Sequence, residues 1–189
     1  MESKRAIARI IDLYRHHGAE SYGEDISQLD HALQAADLAI AEGRDNEVVA
    51  AAFLHDVGHL LEIEGAAPMG DYGTMAHDLL GADYLRSLGF PERVATLVAS
   101  HVQAKRYLCA MEPGYYDQLS EASKETLHWQ GGVMSTDEVS EFSCRKDLDD
   151  VIALRRYDEA AKKQEQATEG LRSIEAVLQS VLEREIEVA

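Results

Sequence analysis

In the stretch VVAAAFLHDVGHLL, residues 48–61, a histidine and an aspartate stand side by side inside an otherwise apolar run of helical character. A core would take leucines at His55 and Asp56. An unpaired buried carboxylate is costly, whereas one bound to a cation is not. Consecutive helical residues point roughly 100° apart, so both side chains reach one centre only near a helix end or a distortion. Gly58 supplies a place for one. The pair therefore reads as a metal-binding corner.

Helical spacing recurs along the rest of the chain. Ile7, Ile10, Ile11 and Tyr14 predict a helix over 3–17, stopped at Gly18, and Leu29, Leu33, Ala36 and Ile40 predict one over 27–42, stopped at Gly43. Asp45 caps a third helix over 46–61, Thr74 a fourth over 75–89, and Pro91 stands in the first turn of a fifth that runs to 108. Residues 62–74, with three glycines and a proline, read as an ordered loop, and a second loop surrounds EPGYYDQ. Ser120 caps a helix over 121–130, Thr136 starts a short one ending near Cys144, and Asp147 starts one reaching 163. A C-terminal amphipathic helix at about 168–187 carries Leu171, Ile174, Leu178, Val181 and Leu182 on one stripe. It can pack on the core or on a second subunit, so the oligomeric state stays open. With 189 residues, no repeat and no linker, residues 1–189 read as one all-α domain.

Charge narrows the function. The 35 acidic against 18 basic residues give −17, which repels phosphate backbones and anionic lipid, so neither nucleic-acid nor membrane partners are expected. No run approaches the roughly 18 apolar residues of a membrane span, and the N-terminus lacks a signal-peptide cleavage site, so the expected location is cytoplasmic. Cys109 and Cys144 have no metal or redox spacing and should stay thiols. On such a surface, Lys and Arg inside a site are informative, because a local basic cluster draws in a small anion.

His16 and His17 suit the last turn of the first helix, and His128 has no assigned role. The other five histidines are His31, His55, His59, His77 and His101, four of them on separate helices with apolar neighbours. One alone would be an ordinary core histidine. Together they fit a bundle whose helices aim imidazole and carboxylate at iron, manganese or zinc.

The order His31, His55-Asp56, then Asp158 in RRYDE resembles the HD superfamily, whose metal-dependent members are helical bundles. The additional His77 in MAHD and His101 in ASHV make the chain similar to the two-metal branch, in which Asp56 would bridge. Lys105 lies four residues after His101 and Arg155 three before Asp158, so each cation projects from the same helix face as a presumed ligand. Two such groups suit an anionic head group, with arginine able to take two oxygens. The strings HVQAKRYL (101–108), LSEASKETLHWQGGVM (119–134), GADYLRSLGF (81–90) and LRRYDEAAK (154–162) sharpen the match. From about Glu24 to Lys162 the chain resembles bacterial oxygenases that cleave the C–P bond of 1-hydroxy-2-aminoethylphosphonate or its trimethylammonio analogue.

That resemblance implies a mixed-valent Fe(II)/Fe(III) pair with O2 as co-substrate. One iron would be held by His31, His55, Asp56 and Asp158, the other by Asp56, His77 and His101. Asp56, His59 and Lys105 become the candidate catalytic residues. Lys105, Ser123, Gln130 and Arg155 would hold the phosphonate, with His59 beside them, and the products would be phosphate and glycine or glycine betaine. At the amine end the resemblance implies a Tyr and a Glu separated by two residues, the Tyr occupying an iron position until substrate displaces it. Glu24 keeps the matching distance to His31, but Tyr22 is one residue closer to it, so either the loop shifts or Tyr22 does a different job. A primary ammonium would need carboxylates, for which Glu24, Asp25 and Asp71 are candidates. A quaternary one prefers aromatic faces, for which Tyr22, Tyr72 and Tyr157 are candidates, and the reading leans to the trimethylammonio form. The alternative activity is a two-metal phosphohydrolase acting on a nucleotide or dinucleoside polyphosphate, which needs water and not O2. A non-catalytic sensor or scaffold would have no use for two cations.

Overall fold

The helices follow the apolar spacing closely. The computed structural model describes residues 2–62, 67–164, 168 and 170–188, and these form ten α-helices with one isolated β-bridge, Pro68 to Thr74. In order they are α1 (Glu2–His17), α2 (Gln28–Ala41), α3 (Asn46–Leu54), α4 (His77–Ser87), α5 (Glu92–Met111), α6 (Tyr115–Gln118), α7 (Glu121–Trp129), α8 (Thr136–Ser143), α9 (Leu148–Ala160) and α10 (Leu171–Val188). The one-turn α6 lies inside the EPGYYDQ segment expected as loop, and residues 63–66 of the earlier expected loop fall outside the described residues.

A helix apolar all round must be buried, and α3 is: every residue from Val48 to Leu54 is in the core. It touches α2, α5, α9 and α10. The last helix settles on this chain's own core, burying Ile174, Leu178, Val181 and Leu182 against α1, α2 and α3. On α2 the inward stripe differs from the expected one. Ile40 is 38% exposed, while Ala32, Ala35, Ala36 and Ala39 are buried. These small side chains let α2 lie close to α3 and α9.

Side-chain caps at Ser27, Asp45 and Ser120 start α2, α3 and α7, and Ser135 with Glu138 forms a capping box for α8. The expected Thr74 cap is absent, and α9 starts behind Asp147 as expected but without a side-chain cap. Thr74 pairs in the bridge, and α4 starts three residues later behind Ala76, held in the left-handed region at φ 54°. Asp147 makes no cap bond, because its carboxylate takes the Arg145 guanidinium.

The decisive departure is in the third helix, which stops at Leu54 and not at 61. Two side chains take the carbonyls that would continue it: the Tyr14 hydroxyl donates to Phe53 O at 2.8 Å, and His55 Nδ1 lies 2.8 Å from Ala52 O. Asp56 then sits in the bridge region at φ −101°, ψ 9°, and a 3-10 turn follows over Val57–Leu60. Gly58 lets that turn touch the start of α4, since a Cβ there would fall 1.9 Å from His77 O. The break and the close approach together seat His77 opposite Asp56.

Candidate metal centre

Six side chains from five elements converge. His31 comes from α2, His55 and Asp56 from the break after α3, His77 from the first turn of α4, His101 from mid-α5 and Asp158 from α9. Asp56 divides the cluster. Its Oδ2 faces His55 Nε2 at 3.4 Å and His31 Nε2 at 3.6 Å, and its Oδ1 faces His77 Nε2 and His101 Nε2, both at 3.4 Å. Asp158 Oδ1 closes the first half, 3.4 Å from His31 Nε2 and 3.8 Å from His55 Nε2. Within each of the groups His31–His55–Asp56 and Asp56–His77–His101 all ligand atoms lie within 4.8 Å of one another.

The ring tautomers follow from the backbone. A carbonyl only accepts, so an imidazole nitrogen beside one must carry the proton. His31 Nδ1 lies 2.8 Å from Ala161 O, His55 Nδ1 2.8 Å from Ala52 O, His77 Nδ1 3.2 Å from Thr74 O and His101 Nδ1 2.7 Å from Val98 O. Four Nε2 atoms therefore face inward, each offering a lone pair when its ring is neutral. They meet in pairs, His31 with His55 at 3.1 Å and His77 with His101 at 3.0 Å. Two lone pairs at that distance repel unless a proton or a metal ion stands between them. Two nitrogens held at a right angle by one ion, with bonds of about 2.1 Å, would lie about 3 Å apart. The donor set, imidazole and carboxylate without thiolate, fits two such ions, with Asp56 offering one oxygen to each.

Charge agrees with geometry. Burial pushes the Asp56 carboxyl up, but His55, His101 and His77 outweigh it and hold it well below the usual carboxylate range. Asp158 is likewise held low, burial being outweighed by Arg155 and His31. Burial lowers His55, yet Asp56 and Asp158 carry it up to about 9. Two ionised carboxylates inside a protein call for positive charge at this point.

His59 is built the other way. The Thr74 amide donates to its Nδ1 at 2.9 Å, so Nδ1 carries no proton. Burial, then His77, keeps the ring well below its ordinary value and hence neutral, leaving Nε2–H as a donor. The ring stacks on His77 with centroids 3.8 Å apart and lines the cavity into which the centre opens.

Of the residues expected for substrate, Tyr22, Glu24, His59, Tyr72, Lys105, Ser123, Gln130 and Arg155 line that cavity. Asp25, Asp71 and Tyr157 do not. The two aspartates are exposed, and the Tyr157 hydroxyl accepts from Arg44 Nε at 3.2 Å on the far side of α9. Lys105 is 3% exposed, and burial, then Arg155, draws its ammonium down to about 7. Arg155 is equally buried and already committed, its Nε donating to the Tyr115 hydroxyl at 3.0 Å and its two terminal nitrogens to Asp158 and Glu159. Gln130 Oε1 is buried with no hydrogen-bond partner among the described residues. The Tyr22 hydroxyl donates to Glu20 Oε2 at 2.8 Å, with the His59 carbonyl oxygen 3.3 Å away as the weaker competitor for the same proton.

A family model described as HD domain matches residues 28–125. The chain belongs to the HD domain family. Asp158 lies beyond the matched stretch and enters this HD fold from α9. The HD protein is 43% identical over 155 residues, 81% of its length, to an uncharacterized protein of Acanthamoeba polyphaga mimivirus, covering 71% of that protein. It is 40% identical over 157 residues to the [1-hydroxy-2-(trimethylamino)ethyl]phosphonate dioxygenase (glycine-betaine-forming) of Leisingera caerulea, covering 82% of this chain and 80% of that one. It is 34% identical over 178 residues to the hydroxymethylphosphonate dioxygenase of Gimesia maris, covering 94% and 88%.

Sequence reasoning passed over Lys162 and Thr126, both of which line the cavity. Lys162 carried a usable signal. It stands four residues after Asp158, the same one-turn offset that singled out Lys105 after His101.

Proposed function

We propose that the chain is an O2-dependent oxygenase that cleaves the C–P bond of a 1-hydroxy-2-(trimethylammonio or amino)ethylphosphonate, giving phosphate and glycine betaine or glycine. The observation that carries this reading is the pairing of inward Nε2 atoms on either side of Asp56, in a chain 40% identical to a named phosphonate dioxygenase. His31, His55, Asp56 and Asp158 would hold one iron, and Asp56, His77 and His101 the other. A mixed-valent Fe(II)/Fe(III) pair would supply O2 activation and Lewis-acid attachment of the substrate.

The protein's own share is positioning and charge. Lys105 and Arg155 place two cations beside the centre, where a phosphonate oxygen anion is desolvated and held. The partners of Arg155 fix its plane, so it meets the anion already oriented. Ser123 and Gln130 add polar contacts from α7 and its C-terminal end, and the Nε2–H of His59 can donate to an oxygen above the His77 ring. The reaction needs no external reductant: as C1 passes from the alcohol to the carboxylate level and the C–P bond breaks, one O2 accepts the four electrons. We place the enzyme in the cytoplasm; its charge of −17 disfavours nucleic-acid and anionic-membrane partners, and no helix among the described residues is long and apolar enough to cross a membrane.

Incubation of the iron-loaded protein with either substrate in air should release phosphate, and removal of O2 should stop it. Phosphate release unchanged under strict anaerobiosis would favour the two-metal phosphohydrolase reading instead.

A further inference from the structure

Between the phosphonate end and the substituent end of the cavity stands a cation that neither the ligand set nor the phosphonate contacts require. Lys162, just past the end of α9, spreads its three N–H donors over Glu24 Oε1 at 2.8 Å, Ser123 Oγ at 3.0 Å and Ser120 Oγ at 3.1 Å. The chain around it is pinned by Gln34, which accepts from Lys163 N at 3.1 Å and donates to Lys163 O at 2.7 Å. Glu24 Oε1 also accepts from the Ser120 hydroxyl at 2.6 Å.

Among the described residues, three carboxylates line the cavity. Asp56 and Asp158 face the imidazoles, so Glu24 alone could receive a substrate ammonium, and Lys162 has neutralised it. A primary ammonium bound here would bury N–H donors without a free carboxylate, or would have to displace Lys162. A quaternary ammonium donates no hydrogen bond and loses nothing by that. It gains from aromatic faces, and Tyr22 and Tyr72 both line this part of the cavity. Tyr72 is packed so tightly over Gly23 that a Cβ there would fall 2.4 Å from its ring. Resting on the oxygenase reading above, we propose that Lys162 is a positioning residue that sets the substrate preference, occupying Glu24 so that the cavity takes the trimethylammonio form over the primary amine.

The second contact of Lys162 shapes the test. By donating to Ser123 Oγ it leaves that hydroxyl proton free to point at the phosphonate. Loss of Lys162 therefore weakens the phosphonate end for both substrates alike, and a ratio between substrates cancels this common part. Lys162→Met frees Glu24 for a primary ammonium, so the preference should collapse even if both affinities fall.

The experiment compares the two substrates on iron-loaded wild type and Lys162→Met, by anaerobic calorimetry for Kd and by phosphate release in air for kcat/KM, with thermal melts to verify folding. Wild type should prefer the trimethylammonio substrate by roughly tenfold or more, the scale of hydrogen bonds to a charged group. Lys162→Met should narrow that ratio by a similar factor, and Lys162→Arg should restore it. An unchanged ratio in Lys162→Met, or a wild-type preference for the primary amine, would overturn the proposal. A purely structural role would lower both substrates together. Absence of binding and of phosphate release for both would overturn the oxygenase reading, and this inference with it.

Discussion

Gly58→Ala separates the two halves of the centre. The added Cβ would sit 1.9 Å from the His77 carbonyl oxygen, where ordinary contact begins at 3.4 Å, so the start of α4 must retreat by about 1.5 Å. Metal ligation tolerates displacements of only roughly 0.2 Å. His31, His55 and Asp158 hang from α2, α3 and α9, which the substitution leaves alone, whereas His77 moves with the carbonyl that is pushed. Overpacking of this kind costs about 1–3 kcal/mol, so the domain should stay folded with a lower melting temperature. Iron analysis should fall from two ions per chain towards one, and oxygenase turnover should collapse although the first half of the site is intact. Two tightly held irons per chain in the folded variant would refute the claim that this glycine seats His77.

Two further outcomes follow from the cavity charges. Lys105 is held at about 7 by burial and then by Arg155, so in the free protein it is charged below that pH and neutral above it, and a bound dianionic phosphonate draws its pKa up. Substrate binding above about pH 7 should then take up a proton and weaken by up to roughly tenfold per pH unit, a dependence that Lys105→Met removes; affinity flat between pH 7 and 9 in anaerobic calorimetry would contradict this. Arg155→Met strips the Asp158 carboxylate of its buried partner and should cost about 3–5 kcal/mol in chemical denaturation of the metal-free protein; a loss below 1 kcal/mol would mean that the pair does not hold α9 in place.

Much of this was legible in the residues because helices write their period into the sequence. The stripe Ile7–Ile10–Ile11–Tyr14 and that of Ile174–Leu178–Val181–Leu182 both face the core, and the one-turn offsets of Lys105 and Arg155 placed both cations in the cavity. What stayed hidden depends on contacts across the fold. A distortion near Gly58 was expected, but that the helix ends at Leu54 rests on Tyr14 capturing the carbonyl of Phe53, 39 residues further along the chain. The start of α4 at His77 and not at Met75 behind a Thr74 cap follows from the bridge of Thr74 to Pro68. The aim of Tyr22 was undecidable from spacing, because its hydroxyl is settled by Glu20 and by a carbonyl 37 residues away. Lys162 was missed for another reason: its role exists only in company with Glu24, 138 residues earlier.

The centre itself is tested most directly by anomalous scattering at the iron edge from crystals of the iron-loaded protein. The account predicts two peaks, one among His31, His55 and Asp158 and one between His77 and His101, with one Asp56 oxygen on each. A single peak, or two peaks with Asp56 contacting only one, would contradict it.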